Sequence, residues 1–192
     1  MSLKRFDNFL SEEEIKIVGK ECDYIWNEIG PSNLTSQESQ GWDASIVDYS
    51  KEVFISEFWN EETGINQAMS QDNNLKTPGI LLNRLHQITP ASPTAMLFYY
   101  WTPGSYIPWH NDGHCSHAGT LYLNTHWEFW MGGNYQHENE NEEGEVVTII
   151  PKYNTFLLQG DSMNHATTIT KPGFLRKTIQ LFYDTEINLN EL

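Results

Sequence analysis

His110 and Asp112 close the stretch Tyr-Tyr-Trp-Thr-Pro-Gly-Ser-Tyr-Ile-Pro-Trp-His-Asn-Asp that begins at Tyr99. Its aromatic run, Pro-Gly turn and second run read as a strand, a turn and a strand. Side chains two apart on an extended chain share a face, so this imidazole and carboxylate can reach one metal ion together. A third ligand is needed, and His165, in Asn-His-Ala-Thr-Thr, lies far enough downstream to return on another strand of the same sheet. Two histidines and one carboxylate on one face of a barrel form the facial triad of non-haem Fe(II), which leaves coordination positions open for a cosubstrate and dioxygen. Zinc is the rival metal, because the same donors serve hydrolytic zinc.

Neighbouring groups lengthen the candidate list without matching these three. His114 and His117 lie in Gly-His-Cys-Ser-His-Ala-Gly, after Asp112. The glycines read as a loop at the barrel mouth, where the two histidines are candidates for substrate contact rather than metal ligation. Cys115 has no base placed for it and reads as a packed or loop residue. His86, His126 and His137 default to solvent or to satisfied core positions.

The elements that must position the triad come after Pro93. Residues 94–101, 106–110, 119–124, 146–150, 155–159, 166–170 and 176–184 read as short strands rich in β-branched and aromatic residues, separated by Gly, Pro, Asn and Asp. Upstream, Ser11-Glu12-Glu13-Glu14 has the form of a capping box, and Ile15, Val18, Cys22, Ile25, Trp26 and Ile29 recur at helical spacing until Gly30-Pro31. Thr77-Pro78 opens a second helix that carries Ile80, Leu81, Leu82, Leu85 and Ile88. Residues 32–39 read as a loop and 42–49 as a candidate strand. The segment 51–59 is ambiguous, its apolar residues fitting a helix better than strict alternation. Helices precede strands, which points to a mainly β fold with flanking helices (α+β): a sandwich or barrel with the helices on one outer face. Length is consistent with a single domain over 1–192, with 1–93 mainly helical support and 94–184 the β core.

The formal charge of −15, from 11 basic and 26 acidic residues, sets a mean field that repels phosphates, so nucleic acid is disfavoured as a partner. The two cysteines, Cys22 and Cys115, are isolated and fit a reducing compartment. With no run resembling a signal peptide or a membrane span, a cytoplasmic protein is expected. The acidic stretch 138–145 reads as a solvated loop, or as a lid that favours cationic or neutral substrates.

Tyr100 through Asp112, Leu121-Tyr122-Leu123-Asn124 with Trp127, Gly132-Gly133, Asn164-His165 and the run from Arg176 to Tyr183 together resemble the Fe(II) and 2-oxoglutarate dependent dioxygenases of the prolyl 4-hydroxylase type. The resemblance spans roughly half the chain. It implies a double-stranded β-helix (jelly roll, cupin-like) that holds iron through His110, Asp112 and His165. It also implies 2-oxoglutarate and dioxygen as cosubstrates, with ascorbate a further candidate, and hydroxylation of a peptidyl (prolyl-type) or small-molecule substrate with release of succinate and CO2. Arg176 matches the family's basic residue for the distal carboxylate of 2-oxoglutarate, Tyr122 the tyrosine that hydrogen-bonds it, and Tyr100 a further tyrosine lining that pocket. Arginine's planar fork suits the role.

Arg176 lies eleven residues after His165, where the family usually places its basic residue nine or ten after, and the Lys171-Pro172-Gly173 turn can absorb the difference. Lys177 is the competing candidate. Pleating puts Arg176, Thr178, Gln180 and Phe182 on one side and Lys177, Ile179, Leu181 and Tyr183 on the other. The second set is more apolar and suits the helices, which favours Arg176. Trp101, Trp109, Trp127 and Trp130 surround the motif as a substrate platform or as core. The alternative function is a cupin-like metal-binding protein, holding zinc or nickel without 2-oxoglutarate chemistry.

Overall fold

Ser11 caps the first helix as its spacing from Glu14 requires. In the computed structural model the Ser11 hydroxyl accepts from the Glu14 amide at 3.3 Å, and the Glu14 carboxylate accepts from the Ser11 amide at 2.8 Å. The helix, α1 (Glu12–Tyr24), buries Ile15, Val18 and Cys22 and passes into a single π turn over Ile25–Ile29. There the Cys22 carbonyl accepts both the Ile25 amide and the Tyr100 hydroxyl, so a side chain enters the helical ladder where its winding changes. The second helix, α2 (Thr77–Leu85), has Lys76 rather than Thr77 at its cap position. Its first amides are satisfied from outside: Glu21 of α1 accepts from the amides of Lys76 and Thr77, both at 2.9 Å, and from the Thr77 hydroxyl at 2.6 Å. A carboxylate there also complements the positive end of the α2 dipole.

The structure describes residues 3–29, 35–36, 53–60, 75–113, 115–139, 142, 144–160 and 163–192, with 35–36 and 53–60 described as backbone. Strands are β1 (Leu3–Asp7), β2 (Thr35–Ser36), β3 (Val53–Asn60), β4 (Ala95–Trp101), β5 (Ile107–His110), β6 (His117–Tyr122), β7 (Tyr135–Glu138), β8 (Val146–Ile149), β9 (Thr155–Gly160), β10 (His165–Thr167) and β11 (Arg176–Tyr183). They form a seven-stranded sheet in the order β1-β9-β6-β11-β4-β3-β2 and a four-stranded sheet in the order β5-β10-β7-β8. Each recorded pairing is antiparallel. This is the expected mainly β architecture, with both helices against the larger sheet.

That sheet is apolar on both faces. Phe98 and Tyr100 of β4, Phe156 and Leu158 of β9, and Ile179, Leu181 and Tyr183 of β11 join Ile15, Val18, Leu81 and Leu85 in the core under the helices. The alternate residues Leu97, Tyr99 and Trp101 of β4 pack with Ile107 of the smaller sheet. The pleat of β11 is therefore the one its sequence pattern predicts.

Three segments depart from the sequence reading. Residues 53–60 form a strand, not the helix that their apolar spacing favours. β3 pairs with β4 from Val53↔Trp101 to Asn60↔Ala95 with a register shift between Glu57 and Trp59, and such a bulge breaks the alternation that signals a strand. Leu3–Asp7 and Tyr135–Glu138 are strands of mostly polar composition, formed through pairing with β9 and with β10 and β8. The first 93 residues thus contribute strands as well as helices. The candidate strand 42–49, the loop 32–39 apart from Thr35–Ser36, and His114 lie outside the described residues.

Replacing Ser11 by Ala should lower the unfolding free energy by about 1 kcal/mol, the usual cost of losing an N-cap, read as a shift in the denaturant midpoint at unchanged slope.

Candidate metal and anion site

His110 ends β5 and His165 begins β10, and the two are direct cross-strand partners. Asp112 follows β5 by two residues, in a turn closed by the Cys115 amide on the Asp112 carbonyl at 2.9 Å. The three side chains converge, with one ligand atom from each lying within 4.8 Å of the others, and they are the only such group of three or more among the described residues. His110 Nε2 stands 3.6 Å from Asp112 Oδ1, and His165 Nε2 stands 3.5 Å from Asp112 Oδ2. Each ring is fixed from behind. His110 Nδ1 donates to the Pro108 carbonyl at 2.7 Å and His165 Nδ1 to the Met163 carbonyl at 2.9 Å, which makes Nε2 the nitrogen of each neutral ring that can act as a metal donor. Burial pushes the His165 imidazole below its ordinary pKa, an effect that the Asp112 charge opposes and the His110 and His137 rings reinforce, so the neutral, ligating form is favoured.

A narrow pocket runs from the triad between the sheets, lined among others by Tyr99, Trp101, Thr120, Tyr135, Gln159 and Arg176. At its inner end Arg176 is 1% exposed, with its guanidinium carbon 4.5 Å from the Trp101 ring centroid and 5.4 Å from that of Tyr122. It forms no ion pair among the described residues. Arg176 Nε and Nη1 and Tyr122 Oη make no hydrogen bond of good geometry. Burial pulls the guanidinium pKa down, and it raises that of Tyr122 against the opposing Arg176 charge. A buried cation with unused donors, beside a buried hydroxyl, is an arrangement that an anion completes.

Two glycines shape this end. Gly132 has φ of +74°, and a Cβ there would lie 1.9 Å from the Ile169 carbonyl oxygen. Gly133 has φ of +60°, and a Cβ would lie 2.7 Å from Arg176 Cδ. The Gly132-Gly133 pair therefore lets the chain approach both the neighbouring backbone and the arginine stem.

Lys177 points the other way and pairs with Asp23 of α1 at 2.5 Å. Tyr100 is also outside the pocket, contrary to expectation. Its hydroxyl donates to the Cys22 carbonyl at 2.8 Å and its ring stacks on Trp26 at 4.9 Å. The cause is strand parity: Arg176 pairs with Trp101 while Lys177 pairs with Tyr100, so Tyr99 and Trp101 carry the aromatic lining. Of the remaining candidates, Trp109 and Trp130 are exposed, His86 contacts the Ser92 hydroxyl at 3.0 Å, and His126 sits 3.3 Å from Glu128. His117 is buried on β6, and Cys115 donates weakly to the Asp112 carbonyl. Residues that sequence reading missed are Tyr99, Thr120, Tyr135 and Gln159. The available signal for Gln159 was a lone amide in the buried run Thr155-Phe156-Leu157-Leu158-Gln159.

A wider groove lies elsewhere, at the edge between the two sheets. It has a volume of about 1110 Å³ and is lined in part by Leu3, Arg5, His137, Val147, Ile149 and Lys152. Among the described residues it holds no group of three side chains that could converge on a metal ion.

No protein-family model matches this sequence, and no curated protein matches it. Solved structures match its fold along nearly the whole chain. A prolyl-4-hydroxylase from Pseudomonas putida is 16% identical with a TM-score of 0.67, over 96% of this chain and 93% of that one. A prolyl hydroxylase from Trichoplax adhaerens, solved with a hypoxia-inducible factor peptide fragment, is 16% identical with a TM-score of 0.70, over 95% and 83%. A 2-oxoglutarate-Fe(II) oxygenase family oxidoreductase from Burkholderia pseudomallei is 10% identical with a TM-score of 0.60, over 94% and 84%. The chain thus has the double-stranded β-helix fold of prolyl-4-hydroxylase-like 2-oxoglutarate-Fe(II) oxygenases. No described helix is long and apolar enough to cross a membrane.

Tyr100→Phe should cost about 1 kcal/mol of stability through the lost bond to the Cys22 carbonyl, while binding of ligands in the pocket stays unchanged. Denaturant unfolding and ligand titration on the same variant check both halves.

Proposed function

We propose that this protein is a non-haem Fe(II) and 2-oxoglutarate dependent dioxygenase that hydroxylates a peptidyl, prolyl-type residue or a small molecule, releasing succinate and CO2. The observation that carries this reading is Arg176, a buried guanidinium with no counter-ion among the described residues and with unused donors, in the same pocket as the His110, Asp112 and His165 group. A simple metal-binding barrel has no need of such a cation, and burying one unpaired is costly. Two imidazoles and one carboxylate suit Fe(II) and leave positions open, so the donor set fits the metal. The chain is taken as one catalytic unit, with 94–184 carrying the site.

His110, Asp112 and His165 would hold the iron. Bound there with 2-oxoglutarate and dioxygen, iron supplies the oxidising chemistry for C–H hydroxylation. The protein's own part is placement. Arg176 and Tyr122 offer a charged fork and a hydroxyl to the distal carboxylate of 2-oxoglutarate, which orients its keto acid end toward the triad. Tyr99, Trp101, Ile107 and Phe182 line the pocket and exclude water. A peptide substrate is supported by the peptide complex of the Trichoplax enzyme. Exposed Trp109, adjacent in sequence to His110, is the candidate platform at the mouth.

Adding Fe(II) and 2-oxoglutarate without oxygen should give the weak visible charge-transfer band of the chelate, followed by succinate when air is admitted. Neither band nor succinate sinks the reading. Arg176→Met should retain metal yet weaken 2-oxoglutarate by roughly 10- to 100-fold, as expected for losing hydrogen bonds to a charged group. Unchanged 2-oxoglutarate affinity in that variant, with metal still bound, would favour the cupin-like metal-binding alternative.

A further inference from the structure

We propose, resting on the iron site just described, that Gln159 is a positioning residue for the metal, holding Asp112 as a one-oxygen ligand with Tyr135 as its anchor. Gln159 is buried on the inward face of β9, and its amide is committed to the triad. Its Nε2 donates to Asp112 Oδ2 at 2.9 Å, and its Oε1 accepts from the Tyr135 hydroxyl. The amide orientation follows from chemistry: an ionised carboxylate only accepts, so the NH2 end must face Asp112. Tyr135 also stacks on the His165 ring at 5.4 Å, with 24° between the planes. One buried chain of contacts therefore runs from the second histidine through Tyr135 and Gln159 to the carboxylate.

The consequence concerns coordination number. A carboxylate free to rotate can chelate with both oxygens and take a position that the cosubstrate or dioxygen needs. Engaging Oδ2 in a charge-assisted hydrogen bond to Gln159 favours Oδ1, which stands 3.6 Å from His110 Nε2, as the metal donor. Gln159 Nε2 also lies 3.2 Å from His165 Nδ1 and 3.1 Å from His165 Nε2, a near-equidistant position over the face of the ring. The Nε2 lone pair lies in the ring plane, so this contact and a metal do not compete for it.

The test titrates Co(II), a redox-quiet stand-in for Fe(II), into the full chain and reads affinity and the visible ligand-field absorption. Gln159→Glu keeps the shape and removes the donor, Gln159→Leu removes both polar ends, and Tyr135→Phe keeps the stacked ring and loses only the anchor. Melting of each metal-free variant reports folding. The Gln159 variants should bind Co(II) ~10–100-fold more weakly, as orienting contacts to a ligand typically require, and with an altered absorption envelope. Tyr135→Phe should move both readouts in the same direction by less. Affinities and spectra indistinguishable from the native protein in folded variants overturn the proposal and leave the metal site standing. If the Gln159 variants do not fold, Tyr135→Phe decides in either direction. A native protein that takes up no Co(II) overturns the site itself, and with it the role of Gln159.

Discussion

The structure depends on a sheet that is buried on both faces. In β4 and β11 alternate residues face opposite sides of the sheet, so strand parity decides which side chains lie toward the helices and which toward the pocket. A one-residue slip of β11 would exchange Arg176 with Lys177 and Thr178 with Ile179, placing aliphatic groups in the pocket and polar ones under α1. The helical layer stabilises the fold, and it also holds the register that presents the guanidinium to the pocket.

Arg176 is the term that makes this pocket unlike an ordinary core. Its neighbours are aromatic faces, which stabilise a cation only partly, and its stem passes where a Cβ at Gly133 would intrude. Desolvation is borne at folding, so the Arg176 donors are already dry in the absence of any ligand. The triad obeys the same logic, with ring nitrogens fixed by backbone carbonyls and the neutral form of His165 favoured by burial. Preorganisation is thus distributed between the two ends of a single pocket.

Much of this was legible in the sequence where local chemistry and periodicity agree. The Ser11 and Glu14 pair marked the start of α1, the alternation from Arg176 to Tyr183 separated its two faces, and the triad followed from residue types at strand ends. What was not legible arises from pairing. β1 and β7 are strands because neighbours pair with them, since sequences such as Tyr135-Gln136-His137-Glu138 carry little strand signal of their own. The family resemblance places Tyr100 in the pocket, and because β4 is aromatic on both faces its sequence does not reveal the parity that excludes it until the Arg176↔Trp101 partnership is known. Gln159 escaped because its significance lies in what stands 2.9 Å away, forty-seven positions earlier in the chain.

Both imidazoles of the converging group are held by the carbonyl two residues before them, His110 by Pro108 and His165 by Met163. Each of these two rings thus carries its own orienting group on the same short piece of backbone. Each ring is tied to its own strand, and the two strands meet at the cross-strand pairing of His110 with His165. Loops other than the Asp112 to Cys115 turn can then differ in length and sequence without re-aiming the two imidazoles, provided that one pairing survives. Such separability lets a barrel keep its reaction while the molecules brought to it diverge.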